Sequence, residues 1–118
     1  MVKSIWSDPQ KVKEAGYSYY THTCIEYNGN KYRSSWEVYF AKFCEKFNLE
    51  YEYENHSIKY MIDSKSHSYI PDFYLPQFDL YIEIHPYKLM SSSFLDKIDY
   101  CLNLGYNILL LDEALLFS

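Results

Sequence analysis

The sequence predicts an α/β domain, a mixed β-sheet flanked by helices, on three observations. Residues 69–85, reading YIPDFYLPQFDLYIEIH, are two short apolar runs parted by Pro76-Gln77, which reads as strand, turn, strand. Trp36, Phe40, Phe43, Cys44 and Phe47 recur at helical spacing and put one apolar stripe on a helix over residues 34–47. Residues 107–111 are wholly apolar after Asn107, as a covered parallel strand is, and a serine-opened helical segment over 91–104 links them to the strand before. Strand, helix and strand then form a βαβ unit, right-handed by the usual rule.

The remaining elements follow in order. Asp8-Pro9 opens and Gly16 stops a short helix over 8–16. Residues 23–27 and 31–33 flank Asn28-Gly29-Asn30, a hairpin signal. Asn48 caps the end of the 34–47 helix. Strands near 50–54 and 57–62 are parted by Asn55-His56. The 91–104 helix has Asp96 three residues after Ser93, a capping-box spacing, and Gly105 closes it. A short helix ends the chain.

One hundred and eighteen residues suit a single domain, read as an extension over 1–20 and a core over 21–112. The N-terminus shows no apolar signal-peptide region, and no run nears the ~20 apolar residues of a membrane helix. Three unpaired-looking cysteines, Cys24, Cys44 and Cys101, point to reduced thiols and a cytoplasmic setting. His56, His67 and His85 lack zinc-ligand spacing. Net charge is −5, split as +2 over residues 1–48 and −7 over 49–118, so the N-terminal part must supply any contacts to a polyanion. Fifteen tyrosines fit half-buried strand positions with hydroxyls at the surface, and base stacking is the other use for such rings.

Two carboxylates carry the chemistry. Side chains alternate along a strand, so Glu83 and His85 share one face while Ile82 and Ile84 take the other. By the same parity Asp72 lies with Ile70 and Tyr74, opposite Phe73. A carboxylate inside an apolar strand costs several kcal/mol unless paired or metal-bound, on the order of the transfer penalty for a buried charge. Two on adjacent strands offer the oxygen ligands that Mg²⁺ takes with waters and a substrate phosphate.

Pro71-Asp72, Glu83 and position 85 resemble the core of the PD-(D/E)XK nuclease superfamily, with His85 where the family has lysine. Glu37, on the first core helix after Tyr32-Arg33-Ser34-Ser35-Trp36, adds to the likeness, which runs from about Thr21 to Asp112. In flavour it is closest to small phage-encoded and homing-type members and to very-short-patch repair endonucleases. The resemblance implies a restriction-endonuclease-like fold and a Mg²⁺- or Mn²⁺-dependent endonuclease acting on duplex or branched DNA in a bacterial or phage-infected cell. It implies a metal held by Asp72, Glu83 and the Ile84 carbonyl, and it is compatible with a homodimer. The other reading is a binding protein that keeps the fold without the reaction: a phage inhibitor, a complex subunit or a DNA-structure binder.

Glu37 has two roles open to it, since Ser34-x-x-Glu37 is also a capping box. His85 can accept a proton or ligate a metal but lacks a lysine's fixed charge. Lys88, three residues on, or Lys97 from the following helix can return a lysine to the site. The catalytic candidates are thus Glu37, Asp72, Glu83, His85 and Lys88. Lys31, Arg33, Ser34 and His67 are the candidates for contacts to nucleic acid.

Overall fold

The computed structural model describes residues 24–118. The helix expected over 8–16 lies outside them. Strands β1 (Ile25–Tyr27) and β2 (Asn30–Tyr32) form the expected hairpin, antiparallel with Tyr27 opposite Asn30. Asn28 and Gly29 both take positive φ, 49° and 85°, which is the backbone that an Asn-Gly two-residue turn supplies to match strand twist.

Helix α1 (Ser35–Lys46) starts from Ser34, whose side chain accepts from the Glu37 amide while Glu37 reaches back. Its last turn unwinds into Asn48 at φ 54°, a left-handed residue just past the helix, with Phe47 rather than Asn48 as the cap. The stripe is narrower than its spacing suggested. Trp36, Phe40 and Cys44 are buried, but Phe43 and Phe47 are 43% and 55% exposed. They sit on the flank of the stripe, and no described element covers them.

The main sheet runs β3-β6-β7-β8, made of β3 (Glu52–Tyr53), β6 (Phe73–Leu75), β7 (Leu80–Ile84) and β8 (Ile108–Leu111). β3 and β6 are antiparallel, as are β6 and β7, whereas β7 and β8 run parallel, so the sheet is mixed. Helix α2 (Ser92–Asn103) makes the crossover between the parallel pair, and α3 (Glu113–Leu116) follows β8. The α/β architecture expected from the sequence is the one observed. One core packs α1 and α3 against Phe73, Leu75, Ile82 and Ile84. A second gathers Ile58, Tyr60, Tyr69, Ile98 and Cys101.

Three further details depart from the expectation. The strand read as 69–75 is two. Tyr69 ends β5 (Lys65–Tyr69), which pairs with β4 (Ile58–Ile62) in a separate hairpin, and β6 begins only at Phe73. Pro71 lies at the break, where it cannot donate to a ladder, and Ile70 is left 53% exposed. β8 is an edge strand with Leu109 44% exposed, not one covered on both faces. At the start of α2 the cap is Ser91, which accepts from the Phe94 amide, so the Ser93–Asp96 box is not used.

Candidate functional site

The functional geometry starts from hydrogen-bond parity in β7. The amides of Tyr81 and His85 donate to Asn107 and Leu111 on the β8 side, so even-numbered residues turn their amides toward β6. Continuing the β6–β7 register, in which Phe73 faces Ile82, brings Pro71 opposite Ile84. Proline has no N–H to offer the Ile84 carbonyl. The Ile84 amide in turn donates not to the ladder but to Asp72 Oδ2, at 2.7 Å. The Pro-Asp pair therefore ends the ladder, fixes the Asp72 carboxylate on β7, and leaves a backbone carbonyl facing the same gap.

Glu83 follows on the adjoining face with 8% of its surface exposed. Tyr69, buried at the end of β5, donates its hydroxyl to Glu83 Oε1 at 2.6 Å, and the Asp72 amide also donates to this carboxylate. Burial pushes the Glu83 carboxyl up to about 7, against the pull of Tyr69 and of the Lys97 charge. Burial and the repulsion of Glu83 and Glu37 hold Asp72 well above the usual carboxylate range.

Glu37 caps the helix and also lines the cleft. Its Oε1 accepts from the amides of Arg33 (2.9 Å) and Ser34 (3.0 Å) and from the Tyr53 hydroxyl (3.0 Å), completing the helix cap. One of its carboxylate oxygens also comes within 4.8 Å of one on Asp72. Two carboxylates that close repel each other, so the pair marks a charge that the fold must neutralise. Burial holds the Glu37 carboxyl above its ordinary value, against the pull of the Tyr53 hydroxyl and the Arg33 amide.

Nothing in the local sequence points to Glu54. Its amide donates to the Asp72 carbonyl at 2.9 Å, which extends the β3–β6 pairing by one residue at a left-handed φ of 47°. Carboxylate oxygens of Glu37, Glu54 and Asp72 lie within 4.8 Å of one another. This trio differs from the expected set of Asp72, Glu83 and Ile84, and Asp72 is common to both. Arg33 compensates Glu54 through a 3.1 Å ion pair, which makes Glu54 the less available ligand. Only the β3–β6 register, invisible in the sequence, brings it here.

These groups line one cleft of about 580 Å³ with Ser34, His85 and Lys97. His85 stacks on Phe94 at 4.0 Å between ring centroids, the rings nearly parallel, and its Nε2 lies 3.0 Å from the Leu89 carbonyl. A carbonyl only accepts, so Nε2 carries the proton. Lys88 stands exposed on the 3₁₀ turn Tyr87–Leu89 and is not among the residues lining the cleft. Of the candidates for nucleic-acid contacts, Arg33 and Ser34 line the cleft, whereas Lys31 is exposed on β2 and His67 is exposed on β5 against Tyr60.

The donor set suits a hard divalent cation, being all oxygen, rich in carboxylates and short of compensating charge. The groups that could hold such an ion are Glu37, Glu54 and Asp72, whose carboxylate oxygens lie close together, and Glu83 in the same cleft. Among the described residues no helix is long and apolar enough to cross a membrane. No curated protein and no solved structure matches the chain. The sequence model of phage endonuclease I matches residues 16–87, a span holding Glu37, Glu54, Asp72, Glu83 and His85. The chain belongs to the phage endonuclease I family.

Proposed function

We propose that this chain is a metal-dependent endonuclease of the PD-(D/E)XK type that hydrolyses phosphodiester bonds in DNA. The observation that carries the reading is the convergence of Glu37, Asp72 and Glu83 from α1, the β6 approach and β7 into one cleft. Three carboxylates brought together at the expense of raised proton affinity have no packing rationale, and a cation relieves them all. A bound Mg²⁺ or Mn²⁺ would supply a water of lowered pKa and offset charge on the phosphate.

The chain's own residues do the rest. Tyr69 and the Ile84 amide hold Glu83 and Asp72 in place, and the Glu37 cap fixes α1 against them. Phe94 and the Leu89 carbonyl fix the His85 ring on the Glu83 side of the cleft, where a neutral imidazole serves as proton acceptor. Water forms a bond to phosphorus as the bond to the 3′ oxygen breaks. One water proton goes to His85, and the 3′ oxygen takes a proton from solvent, leaving 5′-phosphate and 3′-hydroxyl ends.

The test is incubation of the full chain with supercoiled, linear and four-way-junction DNA in Mg²⁺, in Mn²⁺ and in EDTA. Cleavage of at least one form with metal, abolished by EDTA, is the expected result. The histidine at position 85 favours the second reading, a binding protein on the nuclease fold. Retarded DNA migration with no strand cleaved under either metal would establish that reading instead.

A further inference from the structure

Four carboxylates line the cleft, and a phosphodiester entering it is repelled unless positive charge faces it. A bound ion offsets part of that charge. Among the lining residues the basic side chains besides His85 are Arg33 and Lys97. Arg33 is committed to Glu54, and its side chain is 74% exposed at the rim. Lys97 is placed differently.

Its Nζ sits 4.4 Å from the centre of the Tyr69 ring and 5.0 Å from that of Phe94. Both faces attract a cation. Each ring also holds a group of the site: Tyr69 donates to Glu83, and Phe94 stacks on His85. Phe94 and Lys97 are three apart on α2 and so share one face of the helix. Ile98 and Cys101 anchor that helix in the second core beside Tyr69 itself. The ammonium is therefore held by the same side chains that set Glu83 and His85, and its attraction reaches the Glu83 carboxylate.

We propose that Lys97, delivered from α2 onto the Tyr69 and Phe94 rings, is the cationic catalytic residue that contacts the scissile phosphate. It supplies the fixed charge that His85 lacks at the strand position. Its ammonium pairs with a non-bridging phosphate oxygen and transfers no proton, while His85 takes the proton of water. The inference rests on the endonuclease reading above. It lies outside the 16–87 segment that the family match covers.

The test compares wild type, K97M, K97Q and K97R in single-turnover DNA cleavage at saturating protein, with Mn²⁺-induced thermal shifts measured on the same samples. Methionine and glutamine keep a side chain over the two rings without its charge, and those variants retaining the wild-type circular dichroism are read. The expected result is a cleavage rate lower by about 100-fold or more, the size of a lost electrostatic contact to the transition state. K97R should cleave at least about tenfold faster than K97M, since it restores charge. The Mn²⁺ shift of K97M should equal or exceed that of wild type, because a cation beside the metal site has been removed. Cleavage by K97M within about twofold of wild type would overturn the proposal, as would joint loss of cleavage and Mn²⁺ response, which marks a structural role. A wild type that cleaves no DNA removes the endonuclease reading and this inference with it. An active wild type beside an equally active K97M removes the inference alone.

Discussion

Replacing Glu83 by glutamine should stabilise the metal-free protein at alkaline pH and do the reverse in acid. Glu83 binds its proton more tightly in the folded chain, with its carboxyl raised from 4.5 to about 7. Below pH 4.5 both folded and unfolded chains are protonated there, and the group adds no pH-dependent cost. As pH rises from 4.5 towards 7 the unfolded chain ionises first, so stability falls, and above 7 the deficit is complete. At 1.36 kcal/mol per pKa unit the deficit is about 3 kcal/mol. Glutamine is neutral throughout and its carbonyl still accepts from Tyr69, but it gives up one acceptor facing the Asp72 amide. That loss costs about 1 kcal/mol. E83Q should therefore exceed wild type by about 2 kcal/mol at pH 8 in EDTA, roughly 8 °C in Tm for a chain of this length. At pH 4 it should fall short by about 1 kcal/mol. Urea denaturation followed by tryptophan fluorescence at the two pH values reads both. An E83Q protein no more stable than wild type at pH 8 would refute the claim that Glu83 is buried against its own charge.

Two further substitutions probe the helix ends. In E37Q the amide oxygen can still accept from the Arg33 and Ser34 amides, so urea stability should stay within about 1 kcal/mol of wild type. DNA cleavage should nevertheless drop on the order of 10–100-fold; unchanged cleavage would confine Glu37 to capping α1. Gly105 sits at φ 101° with no atom within 4 Å of a Cβ built there, so G105A meets backbone strain but no clash. It should lower stability by about 1 kcal/mol in thermal melts without altering metal response, and a stabilised G105A would contradict the left-handed end of α2.

Much of this protein is legible in its sequence because local signals and tertiary placement agree. Asn28-Gly29 makes the β1–β2 turn, Ser34 with Glu37 caps α1, and the alternation in residues 80–85 puts Glu83 and His85 into one cleft. What was not legible depends on pairing between distant segments. Glu54 reaches Asp72 only through the β3–β6 register, and the break at Pro71 assigns Tyr69 to a hairpin with Ile58 rather than to the Asp72 strand. That break is what lets Tyr69 approach Glu83 from outside the main sheet. Helix spacing likewise could not say that Phe43 and Phe47 would lie open, because the width of a buried face is set by what packs on it. The choice between Lys88 and Lys97 was equally hidden. The 3₁₀ turn after Pro86 carries Lys88 outward, and the pitch of α2 carries Lys97 inward.

The central claim, that Asp72 and Glu83 form a divalent-cation site, is tested most directly by calorimetric titration of Mn²⁺ into wild type, D72A and E83A without DNA. Wild type should bind weakly but saturably, as a site awaiting a phosphate ligand does, and either alanine should weaken binding by about tenfold or more. Superimposable Mn²⁺ isotherms for the three proteins would contradict it.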